Sequence, residues 1–154
     1  MGYAPFNRWI GFALLNILGG FYLFQYGVFS LIISSDLTYI SFGVIVIYLI
    51  TTASIGYKTY KHCKWQVLVP TKLEWFVRSE LAALGLIGTI IGLMFVLGPT
   101  FANINPQASE TITEALSTIS LGVGTALWTT ITALMGAILL GVQLMNLEHS
   151  QNNV

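Results

Sequence analysis

Residues Ser79 to Leu97 read SELAALGLIGTIIGLMFVL, with one charge, Glu80, near the start and none after it. As a helix rising 1.5 Å per residue, a run of this length crosses roughly 30 Å of hydrocarbon. Within it Gly85, Gly88 and Gly92 recur at helical spacing, and one hydroxyl, Thr89, stands where a lipid-adapted sequence would place leucine. Small residues at this spacing let two helix backbones approach closely in a membrane, where no hydrophobic force drives helices together. The fold follows from how many such stretches the chain holds and which faces they show.

The 154 residues are 55% hydrophobic and 8% charged, too little polar surface for a soluble domain. Four apolar stretches are long enough to span, at about 9–33, 37–56, 79–97 and 116–145. Backbone groups in hydrocarbon must be satisfied within each segment, so these are helices. The expectation is an all-α membrane protein, a single membrane domain over 1–154, with loops at 57–78 and 98–115. The first stretch has only Arg8 before it and lacks a small-x-small cleavage site, so it reads as a retained span and not a signal peptide.

Charge sets the orientation. Arg8 precedes the first span, and Lys58, Lys61, Lys64, Lys72 and Arg78 all lie between the second and third. The positive-inside rule places both segments in the cytoplasm, giving an N-in/C-in topology. The hairpin at Ser34-Ser35-Asp36 and the loop with Glu110 and Glu114 then lie outside, without a Lys or Arg between them. Trp9, Tyr57, Tyr60, Trp65 and Trp75 would form an aromatic belt at the inner headgroups. In the outer loop, Gly98-Pro99 and Asn105-Pro106 signal a break before the last helix.

Other chemistry finds little support. A formal charge of zero gives no pointer to nucleic acid, and Lys58, Lys61 and Lys64 among aromatics fit contact with anionic lipid. His62, Cys63 and His149 lack metal-ligand spacing and an acidic companion. The lone Cys63 cannot close an intramolecular disulfide. Neither a catalytic constellation nor a cofactor is expected.

On the last span at 100° per residue, Thr118, Gly122, Thr125, Thr129, Thr132, Gly136 and Gln143 fall on one narrow stripe. Beside it runs a small-residue stripe of Ala126, Thr130, Ala133, Ala137 and Gly141. The third span repeats the scheme, with Gly85, Thr89, Gly92 and Val96 sharing a face and Gly88 and Gly92 forming a GxxxG. Read alone, each threonine packs and bonds its own carbonyl one turn back. Two coordinated stripes suggest more, since a hydroxyl donates and accepts and can meet a carboxylate from another helix. Ion translocation generally uses an ionisable group inside the membrane, and no span carries one at mid-depth. If the chain conducts, a partner must bring the acid.

GLIGTIIGLMFVL and ALWTTITALMGAILL together resemble the third and last spans of the MotA/TolQ/ExbB proton-channel family, nearer the MotA side, over about residues 82 to 146. The resemblance implies a stator subunit of a bacterial-type inner-membrane motor that moves protons or sodium ions. In better-known members five copies form a ring around two copies of a single-span MotB/TolR/ExbD-like protein, whose aspartate takes the ion between the ring's threonines. By position the family's threonines fall on Thr89 and Thr130, with Thr129 alongside; either of the last two could face the lumen. Thr125 stands where TolQ- and ExbB-like members carry a glutamate, so that acid is missing here, as in MotA. The large charged cytoplasmic domain of MotA-like proteins is also missing, which argues against a flagellar torque role. The pore-lining expectation is thus Thr89, Thr125, Thr129 and Thr130, with Gly85, Gly88, Gly92 and Gly136 in helix packing. The competing reading is a non-conducting scaffold assembled through small-residue contacts.

Overall fold

A computed structural model describes residues 3–28, 30, 39–102 and 109–152, with the side chains at 109, 110 and 125 outside that description. Its helices are α1 (Ala4–Gln25), α2 (Ile40–Trp65), α3 (Lys72–Ala102) and α4 (Ser109–Gln151). Of these, α2, α3 and the part of α4 from Thr111 are long and apolar enough to cross a membrane. α1 is the shortest of the four at 22 residues and carries Asn7, Arg8, Asn16 and Gln25 along its length.

Three boundaries differ from those read off hydropathy. The first apolar stretch runs to residue 33, yet α1 stops at Gln25, where Gly27 turns the chain at φ +70°. Glycine takes this left-handed conformation without steric cost, and a count of apolar residues does not register it. The Ser34-Ser35-Asp36 hairpin lies outside the described residues. Between the second and third spans, helix replaces most of the expected loop. α2 continues through its lysines to Trp65 and is capped by Gln66 in the left-handed region, whose N–H returns to His62 O; α3 begins at Lys72, two residues after Pro70. Only residues 66–71 connect them. At the far end α3 extends to Ala102 with Pro99 inside it. A proline removes one backbone bond, and so near a helix end few bonds depend on it.

α3 and α4 run antiparallel and make the principal contact. A Cβ added at Gly85 would lie 2.5 Å from Ala133 Cβ, at Gly88 2.5 Å from Thr129 Cγ2, and at Gly92 3.1 Å from Ala126 Cβ. From the α4 side, one added at Gly136 would lie 3.0 Å from Leu81 Cδ2, and Gly122 receives Val96. α2 lies parallel to α4 on its other flank, pairing Ser41 with Thr129, Tyr48 with Gly136, and Thr52 with Gln143. Val44, Ile55, Leu81, Ala133, Leu140, Leu144 and Leu147 fill the space among the three helices.

α1 has no fully buried residue and is fastened mainly by Trp9. The Trp9 ring covers Gly56 of α2, leaving no room there for a Cβ, and its Nε1 donates to Gln143 Oε1 at 3.2 Å.

The basic end is tied by one buried ion pair. Glu74 is 2% exposed; it accepts from Lys58 Nζ at 2.6 and 2.8 Å and from Ser54 Oγ at 2.8 Å, while Lys58 also reaches Pro70 O at 2.6 Å. This cluster joins α2, the 66–71 connection and α3.

Two outcomes follow from this packing. Gly85→Ala should lower stability in detergent by about 1–3 kcal/mol, because α4 backbone has to move, whereas Gly19→Ala, with open space around it, should be neutral or gain up to about 1 kcal/mol. Lys58→Met should cost about 3–5 kcal/mol by stranding the Glu74 carboxylate; thermal unfolding of the detergent-solubilised protein measures both.

Candidate functional site

Where α3 crosses α4, the glycine contact brings two hydroxyls together. Thr130 Oγ1 donates to Gly85 O at 3.0 Å and is hydrogen-bonded to Thr89 Oγ1. Thr89 Oγ1 also lies 3.1 Å from Ala126 O and 3.2 Å from Gly85 O. Each hydroxyl has one proton and two lone pairs. Two protons among four oxygens leave acceptor capacity unused, so a donor or cation can be received here without unmaking the helix contact. The site has no charge of its own and needs an acid from elsewhere to hold an ion firmly.

Both threonines are half-buried, and α2 lies on the opposite edge of the helix pair. On that edge Thr129, 2% exposed, faces Ser41 Oγ at 3.2 Å, and Ile40 approaches Gly88. Beside the Thr89–Thr130 pair, Leu86, Leu127 and Leu134 are exposed. The hydroxyl pair therefore sits on the uncovered edge of α3 and α4, within an apolar surface.

This divides the residues that sequence reading grouped. Thr89 and Thr130 meet, with Gly85 between them. Thr129 turns toward α2, on the same flank as Gly136 and Gln143. Thr118 and Thr132 bond the carbonyls of Glu114 and Trp128 one turn back. The side chain of Thr125 lies outside the description. Ser41, Tyr48 and Thr52 were not singled out from sequence, although they and Thr59 form a helical stripe at 41, 48, 52 and 59 like the one read in the last span. The Tyr48 hydroxyl is buried and has no hydrogen-bond partner among the described residues.

A second polar cluster closes the same seam at the basic end. Arg78 Nε donates to Ala137 O at 3.1 Å, passing Gly141, where a Cβ would come within 2.7 Å of it. The guanidinium lies 5.0 Å from the centroid of the Trp75 ring. Trp75 Nε1 and Thr71 Oγ1 both donate to Glu148 Oε1, the latter at 2.8 Å. Among the described residues no group of three His, Cys, Asp or Glu side chains is arranged to hold a metal.

Neither the curated proteins nor the solved structures compared with the chain contain a match. A family model described as the MotA/TolQ/ExbB proton channel family matches residues 78–154, from Arg78 through both helices of the hydroxyl pair to the end. With its paired hydroxyls between close-packed apolar helices, the chain belongs to the MotA/TolQ/ExbB proton channel family.

Proposed function

We propose that the chain is the ring-forming subunit of an ion-driven inner-membrane complex, conducting protons or sodium ions together with a single-span partner that supplies an intramembrane aspartate. The observation that carries this reading is the Thr89–Thr130 pair on the edge of α3 and α4 that α2 leaves uncovered. In a closed ring, about five copies would turn that edge inward, with α1 and α2 outside toward lipid. Four spans in the N-in/C-in orientation put the basic end in the cytoplasm.

The partner's carboxylate then moves past uncharged hydroxyls that hydrogen-bond it in either protonation state. A fixed charge at this depth would trap the ion or repel it; hydroxyls let it bind and leave. With residues 66–71 alone joining α2 to α3, there is no rotor-engaging domain between these helices, and the work would be passed on through the partner or the helix ends. Of the threonines expected at the lumen, Thr89 and Thr130 hold the central place in this reading, and Thr129 supports them from behind by holding α2. Thr125 is a further lumen candidate from its place on α4.

Thr89→Val keeps the shape and removes the hydroxyl. Ion flux in vesicles carrying the complete complex should fall about ten- to a hundredfold, the equivalent of one hydrogen bond to a charged group, while ring size stays unchanged. Thr89→Ser should retain flux, and Thr129→Val should weaken the bundle more than the flux. Disassembly by Thr89→Val, or a symmetric oligomer with a filled, dry axis, would instead support the non-conducting scaffold.

A further inference from the structure

Three lysines recur along the cytoplasmic end of α2, and the structure separates them. Lys58 turns into the bundle and is held by Glu74 and Pro70 O. Lys61 and Lys64 stay on the outer surface, and among the described residues neither pairs with a carboxylate. Val46, Ile50, Ala53, Tyr57, Lys61 and Lys64 step by four, three, four, four and three residues, so they form one stripe along the helix. All six are exposed. The stripe lies across α2 from the buried Val44, Thr51, Ile55, Thr59 and His62, and so faces away from α3 and α4.

Polarity along this stripe is graded as it is along a phospholipid. From Val46 to Tyr57 the surface is apolar over about 16 Å, roughly half the hydrocarbon thickness, and two ammonium groups follow within the next two turns. Lys64 is also held in place: its Nζ lies 5.7 Å from the Tyr60 ring centroid and 5.5 Å from that of Trp65. Phe6 of α1 backs the Tyr60 ring, with centroids 5.4 Å apart. Cation–π contact orients an ammonium group without neutralising it. A fixed charge with a second one turn away therefore attracts an anion at headgroup depth. A zwitterionic headgroup brings its own ammonium group, which needs an acid beside it; the stripe has none, and Glu74 is taken by Lys58. A headgroup whose phosphate is its only charge suits both lysines.

We propose that this face of α2 binds one anionic phospholipid of the phosphatidylglycerol kind, with its phosphate between Lys61 and Lys64 and an acyl chain along Val46, Ile50 and Ala53. The site goes beyond conduction and holds whether or not the chain conducts. It also commits to a lipid over a soluble phosphate, because the apolar part of the stripe leads directly to the two lysines and contributes only when a chain is attached to the headgroup.

Native mass spectrometry of the full-length protein, equilibrated in detergent with equal amounts of phosphatidylglycerol and phosphatidylethanolamine, tests this. The protein should retain phosphatidylglycerol in preference by about thirtyfold, the scale of two lysines beside an anionic headgroup. Lys61→Gln with Lys64→Gln should abolish the preference, and Lys61→Arg with Lys64→Arg should keep it. Arg8→Gln and Lys72→Gln remove exposed charges from the same end but off the stripe, and should leave it unchanged. An equal loss in these two variants would overturn the site in favour of unspecific attraction to the basic end. Displacement of the lipid by excess glycerol phosphate would overturn it in favour of a soluble anion. An unchanged preference in the double glutamine variant would also overturn it, and a change of oligomer size in that variant would assign the face to a second copy of the chain.

Discussion

The separation between α3 and α4 is set by Gly85, Gly88 and Gly92 meeting Ala133, Thr129 and Ala126. At that distance the side chains of each helix reach the backbone of the other, which is why Thr130 can bond Gly85 O and Thr89 can approach Ala126 O. A methyl group at any of the three positions forces the helices apart or displaces a neighbour. The hydroxyl pair is thus a product of glycine spacing as much as of threonine placement. The same closeness lets Arg78 lie across α4 at Gly141.

Polar groups inside the bundle are distributed by flank. One flank of α4 faces α2 and carries Ser41–Thr129 and Thr52–Gln143, tying the chain together. The other carries Thr130 and Glu148, which bond α3 and the residue before it while staying half-buried. The buried cross-links to α2 are therefore separate from the half-buried groups on the α3 side. The Lys58–Glu74 pair belongs to the first kind, since each charge has its partner and the carboxylate is almost wholly buried.

Much of this was legible in the sequence, for identifiable reasons. Hydropathy reveals the long apolar helices because hydrocarbon penalises polar backbone whatever the tertiary contacts. The glycine and threonine periodicities revealed which faces of α3 and α4 are special. They left open whether Thr129 or Thr130 meets Thr89, because the two are about 100° apart on the helix and the place of α2 does not show in the sequence of α4. Hydropathy also missed the end of α1, which depends on the dihedral angles of Gly27, and the continuation of α2 past Gly56, where Lys58 is held within the helical run by Glu74 and Pro70 O. The stripe in α2 was overlooked because Ser41, Tyr48, Thr52 and Thr59 differ in type and share only their spacing.

Unbroken helix from Ser109 to Gln151 has a mechanical meaning. Its 43 residues make a shaft about 64 Å long, roughly twice the hydrocarbon thickness. No proline interrupts it, so it has no built-in hinge of that kind. The hydroxyl pair and the basic-end contacts are therefore carried on one axis, and the spacing between them is set by helix rise alone.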